Sequence, residues 1–250
     1  MPKIVKICGT RTVEAAAKAI ESGTDLLGVI LVPNRARTIQ EPVAVEISAL
    51  IKKTRKERNR QFQKVAEIHK YLSTKTFVDV NEYLLHLSNI IIENGPFLVG
   101  VFRNQAAEEV YETALRLDLD FIQLHGSENK LEYAELNKDS KFGVIPRYVV
   151  PKDIDVIKSQ LSTFKNRAYV TIPLLDSEAG GEGKVIDWEV VNDLDFGKFI
   201  LAGGLTPENL SSTSRIQNLL GFDVSGGVED SNGDKDLQKV EDFIKIGKTL

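Results

Sequence analysis

The chain has 250 residues, 42% of them hydrophobic and 27% charged, with a formal net charge of −4 and a single cysteine, Cys8. The acidic balance argues against a nucleic-acid partner, which would need a basic surplus. One cysteine excludes an intrachain disulfide, and a chain of this size can bury a core without one. The opening Met1-Pro2-Lys3-Ile4-Val5-Lys6 has no signal-peptide pattern, and the longest apolar run, 26–32, falls far short of the ~20 residues of a membrane span. A soluble cytoplasmic protein with no membrane partner is expected.

In chain order, short β-branched runs alternate with helical patterns. Strands are expected at 4–8, 26–32, 97–102, 121–124, 144–150, 169–175, 199–201 and 222–224. Helices are expected at 13–22, from about 42, at 106–117, 128–137, from about 151, near 187–192, from 207, and at 236–248. Near-continuous apolar strands indicate burial on both faces, as in a parallel sheet. Eight strand–helix units in strict alternation predict a single (β/α)8-barrel domain over 1–250. An open doubly wound sheet would carry a Gly-rich fingerprint after its first strand, and Cys8-Gly9-Thr10-Arg11 lacks one.

The spacing breaks once, at about 55–95. Both 61–72 and 81–92 carry helical periodicity, with Phe62, Val65, Ile68 and Leu72 on one stripe, and Asp79 followed by Glu82 is a cap signal. A helix-to-strand connection lies at the bottom of a barrel, away from the strand C-termini where chemistry sits. The segment is therefore expected to be a helical insertion at the bottom face. Lys52, Lys53, Arg55, Lys56, Arg58 and Arg60 crowd its approach, diluted by Glu57, and are expected to form a solvated helix face.

Three Gly-rich segments follow strands. Gly203-Gly204 comes after the seventh and Gly226-Gly227 after the eighth. Glycine lets several backbone N–H groups approach one anion, and these two loops form the recurrent phosphate site of barrels. The other reading is a pair of tight turns. The third segment, 176–184, is long enough to act as a lid. Asp176 sits at a strand tip, where barrel catalytic residues sit, or is an ordinary cap. Cys8 also ends a strand, although a lone cysteine is commonly a small core hydrophobe. Arg37 lies in the loop after the second strand and could fork onto a carboxylate or remain a surface charge, with Arg35 as a competitor. His125 occupies another strand tip, as a mouth residue or a structural one. Asp223 is an acid inside an apolar strand, expected to pair with backbone or a polar neighbour.

Six segments in this order, Lys6-Ile7-Cys8-Gly9, Gly100-Val101-Phe102-Arg103-Asn104, Ile122-Gln123-Leu124-His125-Gly126, Leu174-Leu175-Asp176-Ser177, Leu201-Ala202-Gly203-Gly204-Leu205 and Asp223-Val224-Ser225-Gly226-Gly227-Val228-Glu229, resemble the phosphoribosylanthranilate isomerases, most closely the fungal monofunctional type. The resemblance skips only 55–95, which compact members lack. It implies an Amadori rearrangement of N-(5-phosphoribosyl)anthranilate in tryptophan biosynthesis, without metal or cofactor. It places the general base on Cys8, the general acid on Asp176 and carboxylate binding on Arg37. His125, Gly203, Gly204, Asp223, Gly226 and Gly227 complete the substrate-binding set. A monomer is expected, with a phosphorylated small molecule as its partner.

Two rivals predict different residues. An aldolase barrel needs a strand-tip lysine as Schiff-base nucleophile, and the tips offer none; Lys184 falls in a loop and Lys198 begins a strand. A non-catalytic phosphosugar-binding barrel would keep the glycine loops without needing Cys8 and Asp176 together. No second domain of a bifunctional fusion is expected.

Overall fold

The computed structural model describes all residues except 1, 131–132, 134–136, 138, 168–169 and 178–187, together with the side chains of 162–167. Eight parallel strands pair in sequence order and close: β1 (Ile4–Ile7), β2 (Leu26–Ile30), β3 (Phe97–Phe102), β4 (Phe121–Leu124), β5 (Gly143–Val149), β6 (Leu174–Asp176), β7 (Phe199–Leu201) and β8 (Leu219–Val224). The β1–β8 register, with Lys6 beside Asp223 and Ile7 beside Val224, seals the ring. Strands buried on both faces explain why the sequence reads as apolar runs.

The helices are α1 (Val13–Ser22), α2 (Glu41–Glu57), α3 (Val65–Leu72), α4 (Val80–Asn94), α5 (Ala107–Arg116), α6 (Ile154–Arg167), α7 (Trp188–Asn192), α8 (Pro207–Leu210) and α9 (Leu237–Thr249). Local chemistry sets their ends. The Thr12 side chain accepts from Ala15 N and so caps α1, while Gly23 closes it in the left-handed region at φ 97°. Asp79 accepts from Glu82 N at the start of α4, and Asp236 accepts from Gln238 and Lys239 at the start of α9. The helix expected at 128–137 falls largely on residues outside those described. The β6 strand starts at Leu174, later than the expected 169: Pro173 has no N–H for a ladder, and Thr171 makes only an isolated bridge to Val144.

Helices α3 and α4 lie between α2 and β3. Helix α4 touches β1, β8 and α6, and leads through Gly95-Pro96 into the N-terminal end of β3. Its Tyr83, Leu84, Leu87 and Ile91 are fully buried, as are Ile68 and Leu72 of α3. Asn81 shares a cavity wall with Lys198 and Asn218, which enter β7 and β8. This segment thus packs against the barrel beside residues that enter β7 and β8.

The basic run before it departs from the expected solvated face. Arg55 is buried against Asp120, with Nη1 donating to Oδ2 at 2.6 Å and Nη2 to Oδ1 at 2.9 Å. It also donates to the carbonyls of Pro96 and Gln63. Arg58 donates to the Ile20 carbonyl and Arg60 to that of Gly95. These partners come from distant parts of the chain, so composition alone assigned the residues to water. Lys53 and Glu57, four residues apart, remain exposed as expected.

Candidate active site

At the opposite end, where the strands finish, a cavity of about 480 Å³ opens, within the size range of small-molecule sites. Cys8, Arg37, His125, Asp176, Gly203, Gly204, Asp223, Gly226 and Gly227 all line it. Every residue singled out from the sequence therefore reaches one wall or another of a single cleft. Arg35, Arg103, Gln123 and Ser225 join them.

Cys8 follows β1 and is buried. Its backbone N–H donates to the Val224 carbonyl at 2.8 Å, which fixes its height beside β8. Burial pushes the Cys8 thiol up; the Lys6 ammonium pulls it back, Asp223 adds to the rise, and Lys235 again opposes it. Lys6 is fully buried on β1 and donates to Asp223 Oδ1 at 2.8 Å. Asp223 thus pairs with a lysine side chain. Lys6 is also a lysine inside the barrel that the search of strand tips passed over, because it lies two residues before the tip. The positive field on Cys8 comes from Lys6 and Lys235.

Asp176 ends β6 and is buried. Arg147 from β5 donates through Nε to Oδ2 at 2.9 Å, and the Ser177 N–H donates to Oδ1 at 2.8 Å. Arg147 also donates to the carbonyls of His125 and Ser177, clamping β4, β5 and β6 together at the mouth. Burial pushes the Asp176 carboxyl above its ordinary value, Arg147 and the Ser177 amide oppose it, and Asp223 adds to the rise. His125 Nε2 stands 3.9 Å from Asp176 Oδ2, and Nδ1 lies 3.3 Å from Gln123 Nε2. Burial, with Arg147, Lys6, Arg103 and Arg37 nearby, drives the His125 pKa down to about 3. The ring is neutral near pH 7. With Nδ1 accepting from Gln123, its proton is on Nε2, facing Asp176.

Arg37 is half-buried. Its Nη1 donates to Ser225 Oγ at 2.7 Å and lies 3.5 Å from Glu229 Oε1. Lys235 Nζ reaches the same Glu229 oxygen at 2.9 Å and donates to the Ser225 carbonyl. The loop after β8 therefore holds Arg37 out over the cleft.

Gly203 and Gly204 both take positive φ, 89° and 65°, a turn that L side chains strain to make. No described residue accepts a hydrogen bond from their amides. A Cβ on Gly227 would sit 1.8 Å from the Leu205 carbonyl oxygen, so glycine is what lets the two loops meet. Helix α8 starts beside them, capped by Thr206 and Asn209. Of the segment read as a lid, 178–184 lies outside the described residues, Lys184 included. Among the described residues, no cluster of three His, Cys, Asp or Glu side chains could hold a metal ion. None of their helices is long and apolar enough to cross a membrane.

Lys6, Arg147 and Gln123 were missed as site residues. Each left a signal: a charged or amide side chain inside an otherwise apolar strand run, at a position that alternation turns toward the barrel interior.

A family model for N-(5'-phosphoribosyl)anthranilate isomerase matches residues 51–246. The N-(5'-phosphoribosyl)anthranilate isomerase of Candida albicans is 51% identical over 245 residues, covering 98% of this chain and 97% of that protein. The one from Saccharomyces cerevisiae is 38% identical over 252 residues, covering 98% and 94%. Among solved structures, phosphoribosyl anthranilate isomerase from Thermotoga maritima superposes with a TM-score of 0.69 at 27% identity, covering 99% of this chain and all of that one. Another, determined with reduced 1-(o-carboxyphenylamino)-1-deoxyribulose 5-phosphate, superposes with a TM-score of 0.64 at 27% identity over the same shares.

Proposed function

The chain belongs to the N-(5'-phosphoribosyl)anthranilate isomerase family, and from that premise we propose how its own residues divide the reaction. It is an isomerase of tryptophan biosynthesis, converting N-(5'-phosphoribosyl)anthranilate to 1-(2-carboxyphenylamino)-1-deoxyribulose 5-phosphate. The observation that carries the division of labour is that Cys8 and Asp176, from β1 and β6, face one cleft whose far wall is the glycine loops.

In this reading Asp176, whose hold on a proton burial strengthens, gives that proton to the ribose ring oxygen as the C1'–O bond breaks. The anthranilate nitrogen supplies the electron pair and becomes an iminium. The iminium acidifies the C2' proton, which the Cys8 thiolate removes. The electrons of that C–H bond neutralise the iminium nitrogen, and the resulting enol-amine relaxes to the ketone. The enzyme is left with a proton on Cys8 and none on Asp176, and exchange with solvent resets it. One acid and one base placed across the substrate suffice for this sequence.

The phosphate is held by the amides of Gly203, Gly204, Gly226 and Gly227, where two loops present N–H groups to one point. Arg37 takes the anthranilate carboxylate. Neutral His125 and Gln123, whose buried Oε1 has no partner among the described residues, take sugar hydroxyls. The substrate is generated in situ and turnover is followed as loss of anthranilate-type fluorescence. Cys8→Ser and Asp176→Asn should each lose turnover while still binding a product analogue. Parent-like kcat in both would defeat the assignment. We further propose a cytoplasmic monomer needing no cofactor, in which 55–95 is an addition that supports the barrel and takes no part in the chemistry. Sedimentation tests the monomer, and a dialysed-enzyme assay tests the independence from a cofactor.

A further inference from the structure

Lys6 and Cys8 are two residues apart on one strand, so alternation turns both side chains to the same side of the barrel wall. Lysine is rarely buried without a partner, and this one is fully buried against Asp223. Gly28 on the neighbouring β2 shows how close the two groups are. A Cβ added there would lie 2.8 Å from Cys8 Sγ and 3.1 Å from Lys6 Nζ. Sulfur and ammonium therefore face one gap, which exists because residue 28 has no side chain. The cleft is lined by Cys8 and Asp223, with Lys6 behind them.

We infer that Lys6 is a positioning residue for this reaction: its ammonium, pinned by Asp223, is the fixed charge that favours the Cys8 thiolate against the burial that disfavours it. The inference rests on the reading of Cys8 as the base. The Lys6–Asp223 pair is neutral overall, but it is a dipole whose positive end lies at the gap beside Gly28 that the sulfur also borders. The other charged groups around Cys8 are placed differently. Lys235, from the segment after β8, is tied to Glu229 and the Ser225 carbonyl. Arg37 is engaged by Ser225 and Glu229, Asp176 by Arg147, and His125 is uncharged. Each time Cys8 releases its proton, the negative charge forms beside Lys6; each time it takes the C2' proton, that charge is discharged.

Because Cys8 is the only cysteine, iodoacetamide alkylation followed by mass spectrometry titrates this one thiol in the intact enzyme. The rate is measured against pH for the parent, Lys6→Met and Asp223→Asn, alongside kcat/KM profiles. Lys6→Met should move the alkylation midpoint up by about 1–3 pH units and carry the acidic limb of kcat/KM with it. Activity at pH 7 should fall by about tenfold or more and recover in alkaline buffer. Asp223→Asn should move the midpoint down, because the acid that opposes the thiolate is gone while Lys6 stays. Opposed shifts are something a merely structural lesion would not produce. The Asp223→Asn arm stands on its own if Lys6→Met fails to fold. An unshifted or equally shifted alkylation midpoint in the two variants overturns the inference. A shifted midpoint with an unmoved kcat/KM profile overturns Cys8 as the base, and with it any role for Lys6 in turnover.

Discussion

At the bottom of the barrel Asp120 is buried against Arg55; at the mouth Asp223 is buried against Lys6. The bottom carboxylate is saturated, taking both Arg55 Nη atoms and the Leu98 N–H. At the mouth, Lys6 is the only described side-chain donor to Asp223, through Oδ1, and Asp223 lines the cleft. Gln123 Oε1, Ser177 Oγ and Thr10 Oγ1, all buried near that end, also lack partners among the described residues. Buried polar groups are normally satisfied, and a cluster that is not is a place prepared for a ligand. Unpartnered atoms also occur at the bottom, at Arg55 Nε, Asn81 Oδ1 and Asn218 Oδ1, so what separates the two ion pairs is the carboxylate itself: Asp120 is taken up on both oxygens, and Asp223 on one.

The largest expected effect sits at the mouth. Asp176→Asn keeps the shape and the Ser177 contact but removes the acidic proton. It should lower kcat by about 10²–10⁴-fold with little loss of stability. The comparison is broken if the asparagine variant unfolds as readily as a bottom-end variant, since Asp176 would then be serving the fold.

At the bottom, Arg55→Met leaves Asp120 buried without its counterion. Breaking such a pair from one side costs about 3–5 kcal/mol of stability. Denaturant melts should show that loss, while kcat of the folded fraction should match the parent. A lowered kcat would mean that the bottom end reaches the chemistry, against the proposal that 55–95 only supports the barrel.

A second bottom carboxylate sharpens the point through pH. Asp25 accepts from Val5 N at 2.7 Å and from Lys248 at 2.5 Å, yet burial pushes its pKa up to about 6 against the pull of Lys248. Since the folded value lies above the unfolded one, the folded chain keeps a proton between about pH 4 and 6 that the unfolded chain has released. The Asp25 contribution is therefore full below that window and declines as pH rises through it. Stability of the parent relative to Asp25→Asn should fall by about 2–3 kcal/mol from pH 4 to pH 7. Parallel stability curves for the two proteins would show that Lys248 keeps Asp25 ionised throughout.

What the sequence revealed follows the same division between local and distant causes. The bounds of β3, β4, β7 and α1 could be read as they stand, because apolar runs flanked by Gly, Pro and capping residues are local signals. That the glycine loops, Cys8, Asp176 and Arg37 would meet around one cleft was legible because barrels open their clefts at strand tips. Arg55–Asp120 was not: nothing near residue 55 says that residue 120 awaits it, so the arginine read as a surface charge. Lys6 and Arg147 were overlooked for a milder reason. They sit one inward position before the tip, at Lys6–Cys8 and Arg147–Val149, and attention to the tips alone skips them.

The smallest effect expected belongs to Arg37, and it separates binding from chemistry at the mouth itself. Ser225 Oγ and Glu229 orient its guanidinium, so the side chain is placed by the protein itself. A carboxylate held there is held alike before and during reaction, because the anthranilate carboxylate is remote from the bonds that change. Interactions of equal strength in ground and transition states lower KM without raising kcat. Arg37→Met should therefore raise KM by about tenfold to a hundredfold, equivalent to roughly 1.5–3 kcal/mol for a charge-assisted pair, with kcat near the parent's. Loss of Arg37 also frees Glu229, but Lys235 remains on that carboxylate at 2.9 Å and keeps it neutralised. The pH profile of kcat should for this reason stay where it was, in contrast to the shift expected for Lys6→Met. If Arg37→Met instead lowers kcat at neutral pH and regains it in alkaline buffer, then Arg37 helps charge the thiol, and it shares that task with Lys6.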